Sequence, residues 1–432
     1  MTKLRFEGGV GSIGSSKVMV EDGGFRVLLD LGDAIPGERG LLMAPVVSRP
    51  GSELRDRLRV REAPAIEHLY RREAVGEVGP EGGGDGRTAL FLSHCHIDHV
   101  GLIGWVADDV PIYGSAETVR MLDALEAAGE PLEGGPHHVQ VLGEDQPIQV
   151  GPMTVVRHAV DHDVEGASGY SVHTTQGTVA YSGDLRLHGR HPELTERFAR
   201  RVRGAAALVI EGTTLSGDPS APMRDEPAVD RLFAEALAQT PGLVLMSLYP
   251  RDIERVRAFL QLARGAHRRI LWPEPMARFL AAYGVVGVET YLPQRSPAEV
   301  SHDPAGFVIQ IAMESLADIL DLPLGPGSLF LHANGEPLGP FQPSWQLLQN
   351  WLRFLDVPFR SIGTSGHAAP DDLHHLVAEA APATVYPLHT ADPFRLLPPP
   401  GTVRILPRYG REYPLAPALG RGSEQDAGAG PK

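Results

Sequence analysis

The sequence predicts an α/β chain built in two parts, and three observations lead there. Residues 1–205 are dominated by short apolar or alternating runs separated by Gly, Asp and Ser turns. From about Ala205 strand-like and helix-like runs alternate, which is the pattern of βαβ units on a parallel sheet. The 432 residues also exceed one ordinary domain and suffice to bury a large core.

In chain order, "SKVMVED", "FRVLLDLG", "TALFLSH", "MTVVRHAV", "YSVHTTQ" and "TVAYSGD" read as strands. Between Asp33 and Gly86 the chain is irregular and Gly/Pro-punctuated, with "APAIEHLYRREAV" as its one helical stretch. "ALVIEGT" then reads as a buried strand, "EPAVDRLFAEALAQT" as an amphipathic helix and "GLVLMSLY" as a strand. "RDIERVRAFLQLARG", "RRILWP" and "EPMARFLAAYG" continue as helix, strand and helix, and "GSLFLHA" with "SWQLLQNWLRFL" adds another pair. The stretch from Arg360 to Thr390 again gives strand, loop, helix and strand, and the polar tail after Leu415 is expected to be disordered. No internal repeat is present.

The charged fraction, 22%, and the apolar fraction, 42%, are those of a globular protein. "MTKLRFEGGVGSIG" lacks a secretory layout and no run approaches the roughly 18 apolar residues of a membrane span. A single cysteine forms no internal disulfide. A cytoplasmic protein without membrane partners is expected. The net charge of −15 weakens long-range attraction of nucleic acid, although a local basic cleft is compatible with it.

The densest chemical signal is "LSHCHIDHVG", in which His94, His96, Asp98 and His99 fall within six positions just after a strand. Loops leaving strand C-termini are where α/β folds place chemistry. Imidazoles two apart can share one metal, and Asp98 with His99 can serve a second; this ligand set suits zinc, or manganese and iron in other geometries. A merely polar, solvated turn is the poorer account of four ligand-type side chains so close together. Cys95, between two ligands, is expected to point away from the metal, while its thiol would make the site sensitive to oxidation.

These residues resemble the H-x-H-x-D-H motif of the metallo-β-lactamase superfamily. "LLDLG" with Asp30 looks like its first motif, and "YSGDLR" with Asp184 like its fourth. A further histidine is needed between them. His158 and His162 compete, and "VDHDVEGASGY" favours His162 although Asp163 and Glu165 stand where Ser and Pro are commoner. "VIEGTT", "TSGHA" and "YPLHTADP" resemble motifs A, B and C of the β-CASP branch, carrying Glu211, His367 and His389.

The resemblance implies an αββα sandwich (residues 1–205 and 359–415) interrupted by a parallel-sheet β-CASP domain (206–358), with 416–432 as tail. It implies two divalent ions, zinc before manganese. His94, His96 and His162 would hold one ion; Asp98, His99 and His389 the other; Asp184 would bridge. Such ions, about 3.5–4 Å apart, lower the pKa of a bridging water whose hydroxide attacks phosphorus. Asp98, His367 and Glu211 would serve catalysis, with Asp30 and Glu211 orienting ligands. Ser365, Gly366, His367 and Arg251 would contact substrate, Arg255 being a further candidate.

His137, His138, His374 and His375 are expected to be solvated or packed rather than ligating, and His188 stands evenly between cleft and surface. The implied function is a metal-dependent ribonuclease acting on single-stranded RNA, with a homo-oligomer left open. Two other readings remain: a dinuclear hydrolase of a small phosphodiester, ester or lactone, and a non-catalytic partner in RNA processing. RNA against DNA, and internal against 5′-end cleavage, stay open at this level.

Overall fold

The structure is a computed structural model that describes residues 1–34, 41–42, 46–77, 79–217 and 223–415. Three sheets organise the chain. The first has seven strands in the order 412–414, 3–6, 18–22, 25–29, 88–91, 112–114 and 139–141. It is antiparallel up to 25–29 and parallel beyond. The second, also seven-stranded, runs 403–404, 384–388, 207–211, 177–181, 168–174, 153–159 and 147–150. Alternation along these strands turns one apolar face inward. Leu4, Phe6, Val20, Val27, Leu29 and Phe91 meet Val155, Tyr170, Val172, Val179, Val209 and Tyr386 between the sheets.

Helices close both outer faces. Pro192–Arg201 and Pro370–Ala380 bury Phe198, Ala199, Leu373, Leu376 and Val377 against the second sheet. Ala116–Ala128 covers the first sheet with Met121, Leu122 and Leu125; its N-cap Ser115 accepts the Thr118 N–H and Gly129 ends it in the left-handed region. This is an αββα sandwich.

The third sheet has six strands, all parallel, in the order 289–290, 269–272, 307–310, 244–248, 329–333 and 359–361. Helices Glu226–Gln239, Ile253–Gly265 and Glu274–Tyr283 pack on one face through Phe233, Phe259 and Leu280, and Pro343–Phe354 packs on the other through Leu348 and Leu352. Helix 274–283 lies on helix 116–128, so a single apolar core runs from the sandwich into the inserted unit.

Several sequence expectations shift. Ala207–Glu211 was expected to open the insert, but it pairs in parallel with Gly177–Tyr181 and Thr384–Leu388 inside the sandwich. A continuous buried apolar strand fits either sheet, so the boundary at 206 moves past this strand. Phe359–Ser361 likewise belongs to the inserted sheet, beyond the boundary at 358. The helix expected over Ala63–Val75 is absent except at Arg72–Val75; Pro64 and the left-handed His68 (φ 62) break it, and the helix of this region is Glu53–Val60. Helices 116–128 and 192–201 escaped the strand-dominated reading of the first part. The tail, 416–432, lies outside the described residues.

Candidate metal centre

Strand Thr88–Phe91 delivers the histidine-rich loop to the sandwich edge, and Ile97–Val100 forms one helical turn behind it. Asp30, in the left-handed region (φ 63) at the end of the neighbouring strand, anchors this loop. Its carboxylate accepts from Ser93 N–H (2.6 Å), Ser93 Oγ (2.7 Å), His99 Nδ1 (2.7 Å) and Tyr181 OH (2.6 Å). Gly32 is required beside it, because a Cβ there would stand 1.6 Å from the Asp98 carbonyl oxygen.

Donor atoms gather in three overlapping sets, each within 4.8 Å: His94, His96, His162 and Asp184; Asp98, His99, Asp184 and His389; and Glu211, His367 and His389. In the first set three ring nitrogens converge, with His96 Nδ1 3.0 Å from His94 Nε2 and 3.3 Å from His162 Nε2. The outward nitrogens are already engaged: His94 Nδ1 with Ser93 Oγ at 2.9 Å, and His162 Nδ1 with the Gly366 carbonyl at 2.6 Å. The inward nitrogens of His94 and His162 therefore present lone pairs, and a proton on His96 Nδ1 would satisfy only one of them, whereas a cation between the three rings satisfies all.

In the second set His99 donates through Nδ1 to Asp30, leaving Nε2 buried without a hydrogen-bond partner, 3.2 Å from Asp184 Oδ2 and 3.5 Å from Asp98 Oδ2. His389, itself left-handed (φ 54), sets Nε2 2.8 Å from Asp98 Oδ2 and 3.6 Å from Asp184 Oδ2. The donor chemistry, imidazole and carboxylate sharing Asp184, fits divalent ions.

Electrostatics favour neutral imidazoles in the first set and a charge-paired second set, where, against burial, Asp184, Asp98 and Asp30 raise His99 well above the ordinary histidine value. Burial, with help from neighbouring imidazoles, holds His94 well below the ordinary histidine value and takes His162 down to about 3, so both are neutral and free to offer a lone pair. Despite burial, His99 and His389 keep Asp98 and Asp184 ionised, well below the usual carboxylate range. Burial works against protonation of His367 too, but Glu211, Asp184 and Asp163 hold it up to about 9.

A family model described as a β-lactamase superfamily domain matches residues 78–239. Ribonuclease J of Pyrococcus abyssi is 23% identical over 92% of this chain and 91% of its own length. Ribonucleases J of Sinorhizobium meliloti (27% identical) and Mycolicibacterium smegmatis (25%) match 42% and 61% of this chain. Those matches span only 33% and 43% of the bacterial proteins' own lengths. A crystal structure of a protein of unknown function from Enterococcus faecalis V583 superposes with TM-score 0.80 at 27% identity, covering 95% of this chain and 99% of that one. The matched domain, the relatives and the αββα sandwich with its inserted parallel sheet all support the metallo-β-lactamase superfamily, in its β-CASP branch. It is a hydrolase with a candidate divalent-metal centre.

The candidate residues fall into place around this centre. His162 enters the histidine set, whereas His158 lies elsewhere, bonded to Ser171 Oγ at 2.9 Å and packed on Phe198. Glu211 does not touch a histidine of the two ligand sets by hydrogen bond. Its oxygens accept the Thr213 and Ala368 N–H groups and stand 3.6 Å from His367, and His389 Nδ1 is met instead by the Thr213 hydroxyl at 2.8 Å. Ser365 turns its hydroxyl onto the His367 N–H, and its carbonyl receives His188 Nε2 at 2.8 Å, so His188 braces this loop.

Arg251 borders a cavity of about 300 Å³ beside Cys95 and Ile97, 3.8 Å from Glu130. Arg255, by contrast, is buried and bonded to Glu226, so it is neither a phosphate contact nor a solvated helix face. Cys95 is buried, and burial pushes its thiol up to about 12, which disfavours the thiolate that oxidation requires. His374 and His375 sit on helix 370–380 bonded to the Arg395 carbonyl and Glu196. Ser93 and Thr213 bond donor-set histidines directly and Tyr181 acts through Asp30, yet hydroxyl residues carry no distinguishing sequence signal for that work.

Proposed function

We propose that this chain is a metal-dependent ribonuclease that hydrolyses phosphodiester bonds of single-stranded RNA, using two divalent ions at the His/Asp centre. The observation that carries this reading is Asp184, a buried carboxylate whose one oxygen serves both donor sets, with His367 from the segment after the insert standing 3.7 Å away. Bound divalent ions would supply Lewis acidity there, lowering the pKa of a water and neutralising phosphate oxygens. His94, His96 and His162 would hold one ion and Asp98, His99 and His389 the other, zinc being the first expectation and manganese the second.

The chain's own residues set the geometry. Asp30 fixes the His99 tautomer, and Thr213 braces His389. His367, held by Glu211, offers an N–H toward a phosphate oxygen or the departing oxygen. Arg251, from the inserted unit, borders the neighbouring cavity beside Glu130 and would turn to the RNA backbone in exchange for that carboxylate. The name shared by the relatives, one aligned over nearly the whole chain, supports RNA over a small ester or lactone.

The test is metal content and cleavage together, comparing wild type with the Asp98→Ala, His99→Ala double variant on 5′-monophosphorylated single-stranded RNA with zinc or manganese. About two ions per chain with cleavage by wild type alone is the expected result. Two bound ions without cleavage of any RNA would move the small-molecule hydrolase to first place, and absence of ions would leave the non-catalytic partner.

A further inference from the structure

Asp163 departs from the commoner Ser of the motif it resembles, and its surroundings give it a task. It follows His162 and comes within 3.2 Å of His162 Nε2 and 3.5 Å of His96 Nε2 through the same oxygen, Oδ1. Only one of those nitrogens can carry a hydrogen. His162 donates from Nδ1 to the Gly366 carbonyl, so its Nε2 bears the lone pair that faces the histidine set. His96 turns Nδ1 to the same set; with a cation held there that nitrogen gives its lone pair, which leaves the proton on Nε2, the atom nearest Asp163.

His96 Nε2 and Asp163 Oδ1 are both buried and both without a hydrogen-bond partner, although they face each other. Buried polar atoms of this kind demand partners. A slight approach joins them. The Asp163 carboxyl is held from behind at Gly366, where any Cβ would meet it at 2.6 Å.

We propose that Asp163 is a positioning residue for the metal centre. Its carboxylate accepts the His96 Nε2–H, fixes the tautomer that presents Nδ1 to the first ion, and makes that imidazole a more basic ligand. The inference rests on the metal-centre part of the functional reading and not on the identity of the substrate. Gly366 is part of the device: its missing side chain admits the carboxylate while its carbonyl orients His162, so one glycine sets two of the three histidines.

The test reads metal binding without RNA. Wild type, Asp163→Asn, Asp163→Ala and a neighbouring control, Glu165→Gln, are titrated with Zn²⁺ against a chelator, and the Co²⁺ forms are compared by visible absorption. Removal of the carboxylate is expected to weaken one of the two ions about 10–100-fold, with the other ion and Glu165→Gln unaffected. Asp163→Asn, which keeps an acceptor oxygen but not the charge, should fall between wild type and Asp163→Ala. The Co²⁺ band intensities should keep the wild-type coordination number. Unchanged Zn²⁺ affinity in Asp163→Ala overturns the proposal, and a changed coordination number overturns it in favour of direct ligation. Wild type that binds no Zn²⁺ overturns the metal-centre reading itself, whereas wild type that binds two ions but spares RNA leaves the Asp163 inference standing.

Discussion

Asp30 shows how much of the candidate metal centre hangs on a residue outside its three donor sets. Four donors, from Ser93, His99 and Tyr181, converge on its two oxygens with almost no exposure to water. In Asp30→Ala all four lose their acceptor, and His99 becomes free to flip or to take the wrong tautomer. Bound metal, read by elemental analysis after equilibration with a chelator, should fall with a 10–100-fold weaker affinity for the ion at His99. Full two-ion occupancy with wild-type affinity would remove Asp30 from the centre. This residue was legible in the sequence because "LLDLG" ends a strand just ahead of the histidine loop. The contacts of Asp163 were not, since they depend on Gly366 some 200 positions later and on which way the His96 ring turns.

At the level of elements, the strand Met153–Ala159 and the loop after it separate two histidines that the sequence left in competition. His158 is the penultimate residue of the strand and its last buried side chain, and it faces helix 192–201 with its Nε2 on Ser171 and its ring near Phe198. His162 lies beyond the strand end, where the loop turns toward Gly366. His158→Ala should therefore keep both ions and lose about 1–3 kcal/mol of stability in denaturant titration, from a buried hydrogen-bonded group. His162→Ala should instead lose one ion. Loss of an ion from the His158 variant would mean that the strand register misassigns the ligand. Strand alternation alone could not settle this, because both positions precede or follow a turn whose direction is set by tertiary contacts. The same limit applies to Ala207–Glu211: its apolar run announced a buried strand, but which sheet it joins is decided by its partners at 177–181 and 384–388. The helices 253–265 and 274–283 were legible because their apolar faces repeat at helical spacing, whereas 63–71 carries apolar residues without that backbone.

Across the whole molecule, a buried ionic lattice joins the sandwich to the inserted unit. Arg186, two residues after the shared Asp184, bonds Asp161 and Glu226, each at 2.9 Å. Glu226 in turn holds Arg255, whose Nη2 is 3.3 Å from Asp252. Asp252 also caps helix 253–265 by accepting the Arg255 N–H at 3.0 Å. Burial and the nearby Glu226 raise Asp252 to about 7 against the pull of Arg255, from an ordinary value of 3.8. The folded protein thus retains a proton on Asp252 over a range in which the unfolded chain has released it. Below about pH 4 both states are protonated and the contribution is complete; as pH rises toward about 7 the unfolded state gains by ionising, so stability falls. Asp252→Asn keeps an oxygen for the cap and does not titrate. Urea unfolding from pH 4 to 7 should show a wild-type stability that declines relative to Asp252→Asn as pH increases, with the two curves running parallel above that window. Parallel curves throughout would place the carboxylate in its ionised form, and the lattice would then be a fully charged one, with Glu226 and Asp252 both neutralised by arginine.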